Sequence, residues 1–194
     1  MLDTSAAVAS GAYKRNQIVT KYVNGTVTIV NGNKKERMKV LGFDLPPNGY
    51  TGWTADKKIF VLSSDKPVKR HRTDYAVTPE YIYVDGRGEF TRFDKAASDG
   101  IGICRILGEN KYEVLPYDGA DCGFAIDVDK AVALDKDNKE IGPAQIRKSR
   151  GYVYVLPVKG AFSYILSKIN ESKKSTLTSN RDLVVPGEVV TVKG

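Results

Sequence analysis

The chain is poor in the residues from which most hydrolytic and redox chemistry is built. Among its 194 residues are one histidine, two cysteines and one tryptophan. The sole imidazole, His71, lies in a polar, basic stretch broken by Pro67. A Ser-His-Asp or Cys-His mechanism therefore has one possible base with no motif around it, and His71 reads as a surface residue. Cys104 and Cys122 make neither a CxxC motif nor a metal spacing, and they read as small buried apolar residues, with a disulfide between them as the alternative. No apolar run approaches the ~20 residues of a membrane span. The opening MLDTSAAVAS lacks the basic flank and sustained apolar core of a signal peptide. No long amphipathic helix, recognition helix, zinc-finger spacing or RNP-type aromatic motif is present. No metal or cofactor is expected.

The net charge of +7 invites a polyanion partner, but the charge is scattered. Lys34, Lys35, Arg37 and Lys39 form one group, Lys66 to Arg72 another, Lys173 and Lys174 a third. Charge of this kind sets solubility and weak non-specific binding, so no specific nucleic-acid partner is expected.

What is abundant is β signal. The stretch TPEYIYVDGRGEFTRFDKAASDG, Thr78 to Gly100, joins two alternating regions through a glycine-rich turn. Tyr81, Tyr83 and Asp85 fall on one side of an extended strand, Ile82 and Val84 on the other. Asp85-Gly86-Arg87-Gly88 then supplies two residues able to take positive φ. Upstream, Gln17 to Tyr22 and Thr26 to Val30 flank an Asn24-Gly25 hairpin signal, and Pro46-Pro47 excludes helix before Tyr50 and Trp53. Downstream, short β-prone segments recur from Ile101 to Ile169, bounded by turn residues. The predicted fold is all-β. Residues 1–16 form a leader or cut edge, 17–74 a small antiparallel sheet, 75–169 an immunoglobulin-like or fibronectin-like sandwich, and 170–194 a tail or a further strand.

Catalytic candidates are weak by the same reasoning. Asp85, Glu89, Asp94, Asp99, Asp118, Asp121, Asp127 and Asp129 lie in turn-like sequence, where aspartate is favoured for local hydrogen bonding. Asp85 and Glu89, flanking the organising turn, are the pair to test first for acid hydrolysis. The acidic run Asp135 to Glu140 lacks the order of a calcium loop and reads as a hairpin tip. Tyr152 and Tyr154 share a strand face and offer a platform for stacking on sugar rings, with Trp53 as a further candidate for carbohydrate binding. For each of the three, packing is the competing reading.

Four segments in order, YVNGTVTIVNG, LPPNGY, DYAVTPEYIYVDGRGEFTRF with KAASDG, and IGPAQIRKSRGYVYVLPVKGAFSY, together carry a resemblance that covers most of Ile18 to Ser167. The series resembles the C-terminal β-rich region that follows the (β/α)₈ barrel in large, mostly uncharacterised glycoside hydrolases. The resemblance implies a non-catalytic accessory role, because the acid and nucleophile of such enzymes lie in the barrel. With no barrel here, no catalytic residue carries over. The implied partner is the parent enzyme's catalytic barrel, with polysaccharide as a second. The resemblance also implies an exposed apolar patch on the first sheet, where a barrel would sit. The alternative is a free-standing carbohydrate- or protein-binding module.

Overall fold

The computed structural model describes residues 2–65 and 71–169, and its described part is predominantly β. A short helix, α1 (Thr4–Ala9), is capped by Asp3, whose Oδ1 accepts from the Ala6 N–H at 2.8 Å. Gly11, at φ +72°, follows its end. No helix among the described residues is long and apolar enough to cross a membrane.

The strands come in three groups. β1 (Gln17–Lys21) and β2 (Val27–Asn31) are the Asn24-Gly25 hairpin. β3 (Met38–Val40) and β4 (Phe43–Leu45) make a detached hairpin. β5 (Tyr50–Trp53), β6 (Phe60–Ser64), β7 (Thr73–Val77) and β8 (Tyr81–Asp85) continue from β2 as an antiparallel meander. β9 (Thr91–Arg92) and β10 (Ala96–Ser98) leave it, and β11 (Ile101–Gly108) and β12 (Lys111–Pro116) return to it. The last described strands are β13 (Gly123–Phe124), β14 (Lys130–Leu134), β15 (Glu140–Ala144), β16 (Ile146–Ser149), β17 (Tyr152–Val155) and β18 (Ser163–Ser167).

Among the described residues, eleven strands form one antiparallel sheet, in the order β1-β2-β5-β6-β7-β8-β11-β12-β18-β14-β15. Five more, β16-β17-β13-β10-β9, form a second. The segment Ile141 to Lys148, expected as one strand, is split at Gln145 between β15 of the first sheet and β16 of the second.

The boundary expected near Asp74 falls inside β7. Asp74 stands opposite Ser63 of β6 and opposite Asp85 of β8, so the backbone ladder runs through that position. Packing, by contrast, does change there. Ile29, Met38 and Leu45 anchor one core, between the β1–β6 end of the sheet and the β3–β4 hairpin. A second core begins at Tyr75 and draws on both sheets, Ile82, Val84, Cys104, Val114, Tyr164 and Leu166 from the large one, Ala96, Phe124 and Val153 from the small one. Both cores use the same face of the large sheet. Val27, Trp53, Phe60, Val77, Ile82, Cys104 and Val114 are successive cross-strand partners across it.

Cys104 and Cys122 are free thiols buried in the second core, and the position a Cβ on Gly102 would occupy is 3.0 Å from the Cys122 Sγ. Burial pushes both thiols up to about 12. At pH 8 the native chain should therefore resist a thiol reagent, while the urea-unfolded chain should react at both sites. From near 9, where an unfolded thiol ionises, to about 12, the unfolded state releases protons that the folded state keeps, so stability falls as pH rises through that window. Rapid labelling of the native chain would show that this core is not closed.

Candidate functional site: the uncovered sheet face

The large sheet has a second face, and no sheet or hairpin among the described residues builds a core against it. Strand alternation places on it the residues left over by the core, apolar at the β1 end and charged at the centre. One cross-strand row runs Ile18, Val30, Tyr50, Ser63, Asp74, Asp85, Ile101. The next runs Thr28, Gly52, Val61, Ala76, Tyr83, Ile103, Leu115. At the β1 end Ile18, Val30 and Tyr50 are 53%, 45% and 38% exposed, three large side chains side by side in water. This is the apolar corner of the face.

A charged knot occupies its middle. Asp74 is 6% exposed, and Arg87 donates two hydrogen bonds to its Oδ2, that from Nε at 2.8 Å. Arg72 Nε lies 3.9 Å from Oδ1 and donates to Ser63 Oγ at 2.7 Å. Asp74 Oδ1 itself is buried without a hydrogen-bond partner among the described residues. Asp85, opposite Asp74 in the ladder, accepts from the Arg87 backbone N–H at 2.8 Å. Burial, followed by the Asp74 charge, pushes the Tyr50 phenol up, and burial with Asp85 and Asp74 does the same for Tyr83. Both phenols therefore stay protonated as donors. The Asp74 hydrogen bonds also raise the Arg87 guanidinium, fixing its charge.

A groove of about 460 Å³ opens beyond the knot, between β8 and β11. Tyr81, Tyr83, Ile103, Ile106 and Leu107 form its apolar surface, and Glu80 and Arg105 its polar groups. Arg105 Nη1 donates to Glu113 Oε2 at 2.6 Å, and that glutamate is 7% exposed. The guanidinium is thus held from beneath while its side chain is 59% exposed.

No family model, curated protein or solved structure matches the chain.

The residues expected to carry sugar binding lie elsewhere; one of the three is buried and the other two are half-buried. Tyr154, expected on an exposed platform, is 3% exposed. Its cross-strand partner Gly123 has no side chain, and a Cβ there would sit 2.5 Å from the Tyr154 ring, so the ring lies down over that backbone. The Arg147 guanidinium stands 4.2 Å from the ring centroid. Trp53 is on the core face, stacked on Phe43 at 5.5 Å with Lys57 Nζ 4.7 Å from its centroid. Tyr152 is half-buried, donates its hydroxyl to the Phe93 carbonyl, and lines a shallow groove of about 350 Å³ with Lys148 and Arg150.

Asp85 and Glu89 each have their own local partners. Asp85 closes the turn through the Arg87 N–H, and Glu89 lies 3.9 Å from His71 Nδ1. His71 is not free on the surface; its Nε2 contacts the Gly86 carbonyl at 2.6 Å and ties the connector to the turn. In that turn the positive-φ residues are Arg87 (+51°) and Gly88 (+91°). Gly86 is required instead by space, since a Cβ there would lie 2.4 Å from the Ser98 carbonyl oxygen. At the acidic tip, Asp135 Oδ1 accepts from the Asp137 and Lys139 amides, each at 2.9 Å, as a turn residue does. What the sequence did not single out is Asp74. The one signal was its place opposite Asp85, and that requires the register.

Proposed function

We propose that this chain is the non-catalytic C-terminal β region of a glycoside hydrolase, seated against the catalytic barrel through the apolar corner at the β1 end of its large sheet. The observation that supports this reading is the apolar corner at Ile18, Val30 and Tyr50, exposed on the first strands, where the family resemblance expects a barrel to dock. Exposed apolar area of this kind costs about 25 cal/mol per Å² relative to burial, so a row of three large side chains favours a partner over water. The charged knot offers no acid catalyst. Arg87 occupies Asp74 Oδ2, and Oδ1 is buried away from any substrate.

The test has two steps. The reading frame upstream is extended, and the barrel it encodes is produced separately and mixed with this chain. A stable complex is expected, and Ile18→Lys with Val30→Lys should abolish it while changing the chain's own unfolding by no more than about 0.5 kcal/mol, as for other exposed positions. An upstream frame encoding no barrel, or a complex indifferent to the double variant, sinks the reading.

A further inference from the structure

The groove beyond the charged knot is a separate feature of the same face. It lies between two interior strands, for β8 is paired to β7 and β11, and β11 to β8 and β12. No free backbone edge borders it, so an added peptide strand has no ladder to join. Its volume of about 460 Å³ falls within the roughly 300–1,000 Å³ of small-molecule sites. Tyr81, 38% exposed, and Arg105 are directly opposed in the ladder, placing an aromatic ring beside a guanidinium. Glu113 takes Arg105 Nη1 and leaves the Nε and Nη2 hydrogens as a positioned donor set. Glu80, Arg105 and Glu113 together carry one net negative charge, which disfavours an anion. Apolar residues beside neutral and paired hydrogen-bonding groups suit a ligand that is apolar on one face and hydroxylated at its rim.

From this juxtaposition we infer that the groove between Tyr81 and Arg105 is a binding site for a neutral oligosaccharide. Tyr81 and Tyr83 supply ring and edge contacts to the C–H face of a pyranose, Ile103 and Leu107 exclude water, and Arg105 and Glu80 hydrogen-bond its hydroxyls. The site is distinct from the docking corner and does not depend on it.

Isothermal titration of the full chain with cellopentaose, xylopentaose, mannopentaose, chitopentaose and pentagalacturonate tests the inference. At least one neutral oligomer should bind and the galacturonate should not. Tyr81→Ala and Arg105→Lys should each weaken that binding about tenfold or more, the second because lysine keeps the charge next to Glu113 but loses the planar fork. Tyr81→Phe, which keeps the ring, should bind within a few-fold of the unaltered chain, and circular dichroism should show each variant folded. Tyr152→Ala should change nothing. Silence toward all four neutral oligomers overturns the inference, as does preference for the galacturonate or binding that survives both Tyr81→Ala and Arg105→Lys. Ile18→Lys with Val30→Lys should leave titration unchanged, so failure of barrel docking and failure of sugar binding are read separately.

Discussion

Replacing Phe124 by alanine should lower the unfolding free energy by about 3–5 kcal/mol, the usual cost of removing a buried aromatic ring. Phe124 is fully buried and is the largest such side chain of the molecule's described residues. It comes from β13 of the small sheet, and a Cβ on Gly102 of β11 would lie only 3.3 Å from its ring tip. The ring thus spans the gap between the two sheets, filling space that Gly102 leaves open. Its cross-strand partner is Ala96, and the same core holds Ala131 and Ala133, short side chains that cannot swing into a vacated volume. The cavity should therefore persist, which places the cost toward the upper part of the range. Urea unfolding would measure it. Phe124→Leu should lose less because it refills part of the space. Equal losses for the two variants would mean that ring shape, not volume, sets the packing.

Much of this arrangement was legible in the sequence. Alternation placed Ile82 and Val84 on one side and Tyr81, Tyr83 and Asp85 on the other, and the burial of β8 separates the same two sets. The Asn24-Gly25 hairpin and the exclusion of long helices are local facts, written in turn chemistry and periodicity, and they stand as well. The continuity of one sheet through Asp74 was not legible. The connector before it is polar and broken by proline, which marks a change of element but carries no information on whether the flanking strands pair. Pairing of β6 with β7 is a matter of register, fixed by contacts that only the folded chain makes. Position 74 is consequently both a boundary between cores and the interior of a ladder.

The site was less legible for a related reason. Period-two spacing correctly put Tyr152 and Tyr154 on one side of a strand, but exposure depends on the neighbours. Tyr154 is buried because the residue beside it in β13 is Gly123 and the residue beside it in β16 is Arg147. Neither adjacency can be read from a strand in isolation. Conversely, Tyr81 opposite Arg105, and Asp74 opposite Asp85, acquire meaning only once β7, β8 and β11 are aligned. The apolar corner was reached through the resemblance, and its three residues come from three strands, each carrying one outward apolar residue that is unremarkable alone.

Arg87→Ala should destabilise the chain by about 2–3 kcal/mol, the range of hydrogen bonds to a charged group, and it should do so through Asp74. Removing the guanidinium takes away both bonds to Asp74 Oδ2 and leaves a carboxylate only 6% exposed, with Arg72 Nε 3.9 Å from Oδ1 as the cation that remains beside it. A wholly buried pair broken this way costs about 3–5 kcal/mol, but the Arg87 side chain is 46% exposed, so water enters where it stood and the loss is smaller. Arg87→Lys should recover only part, since an ammonium cannot reproduce the fork that gives Oδ2 two bonds. The decisive measurement is the double-mutant cycle. If Asp74 is the reason for the cost, Asp74→Ala combined with Arg87→Ala should be less destabilised than the two losses added, with a coupling of about 0.5–3 kcal/mol. Additive losses would instead assign the Arg87 effect to its turn, where its φ is +51° and its own N–H meets Asp85. In that case the knot would not be what holds β7 against β8 at the centre of the face, and the docking corner and the groove would be fixed by the ladder alone.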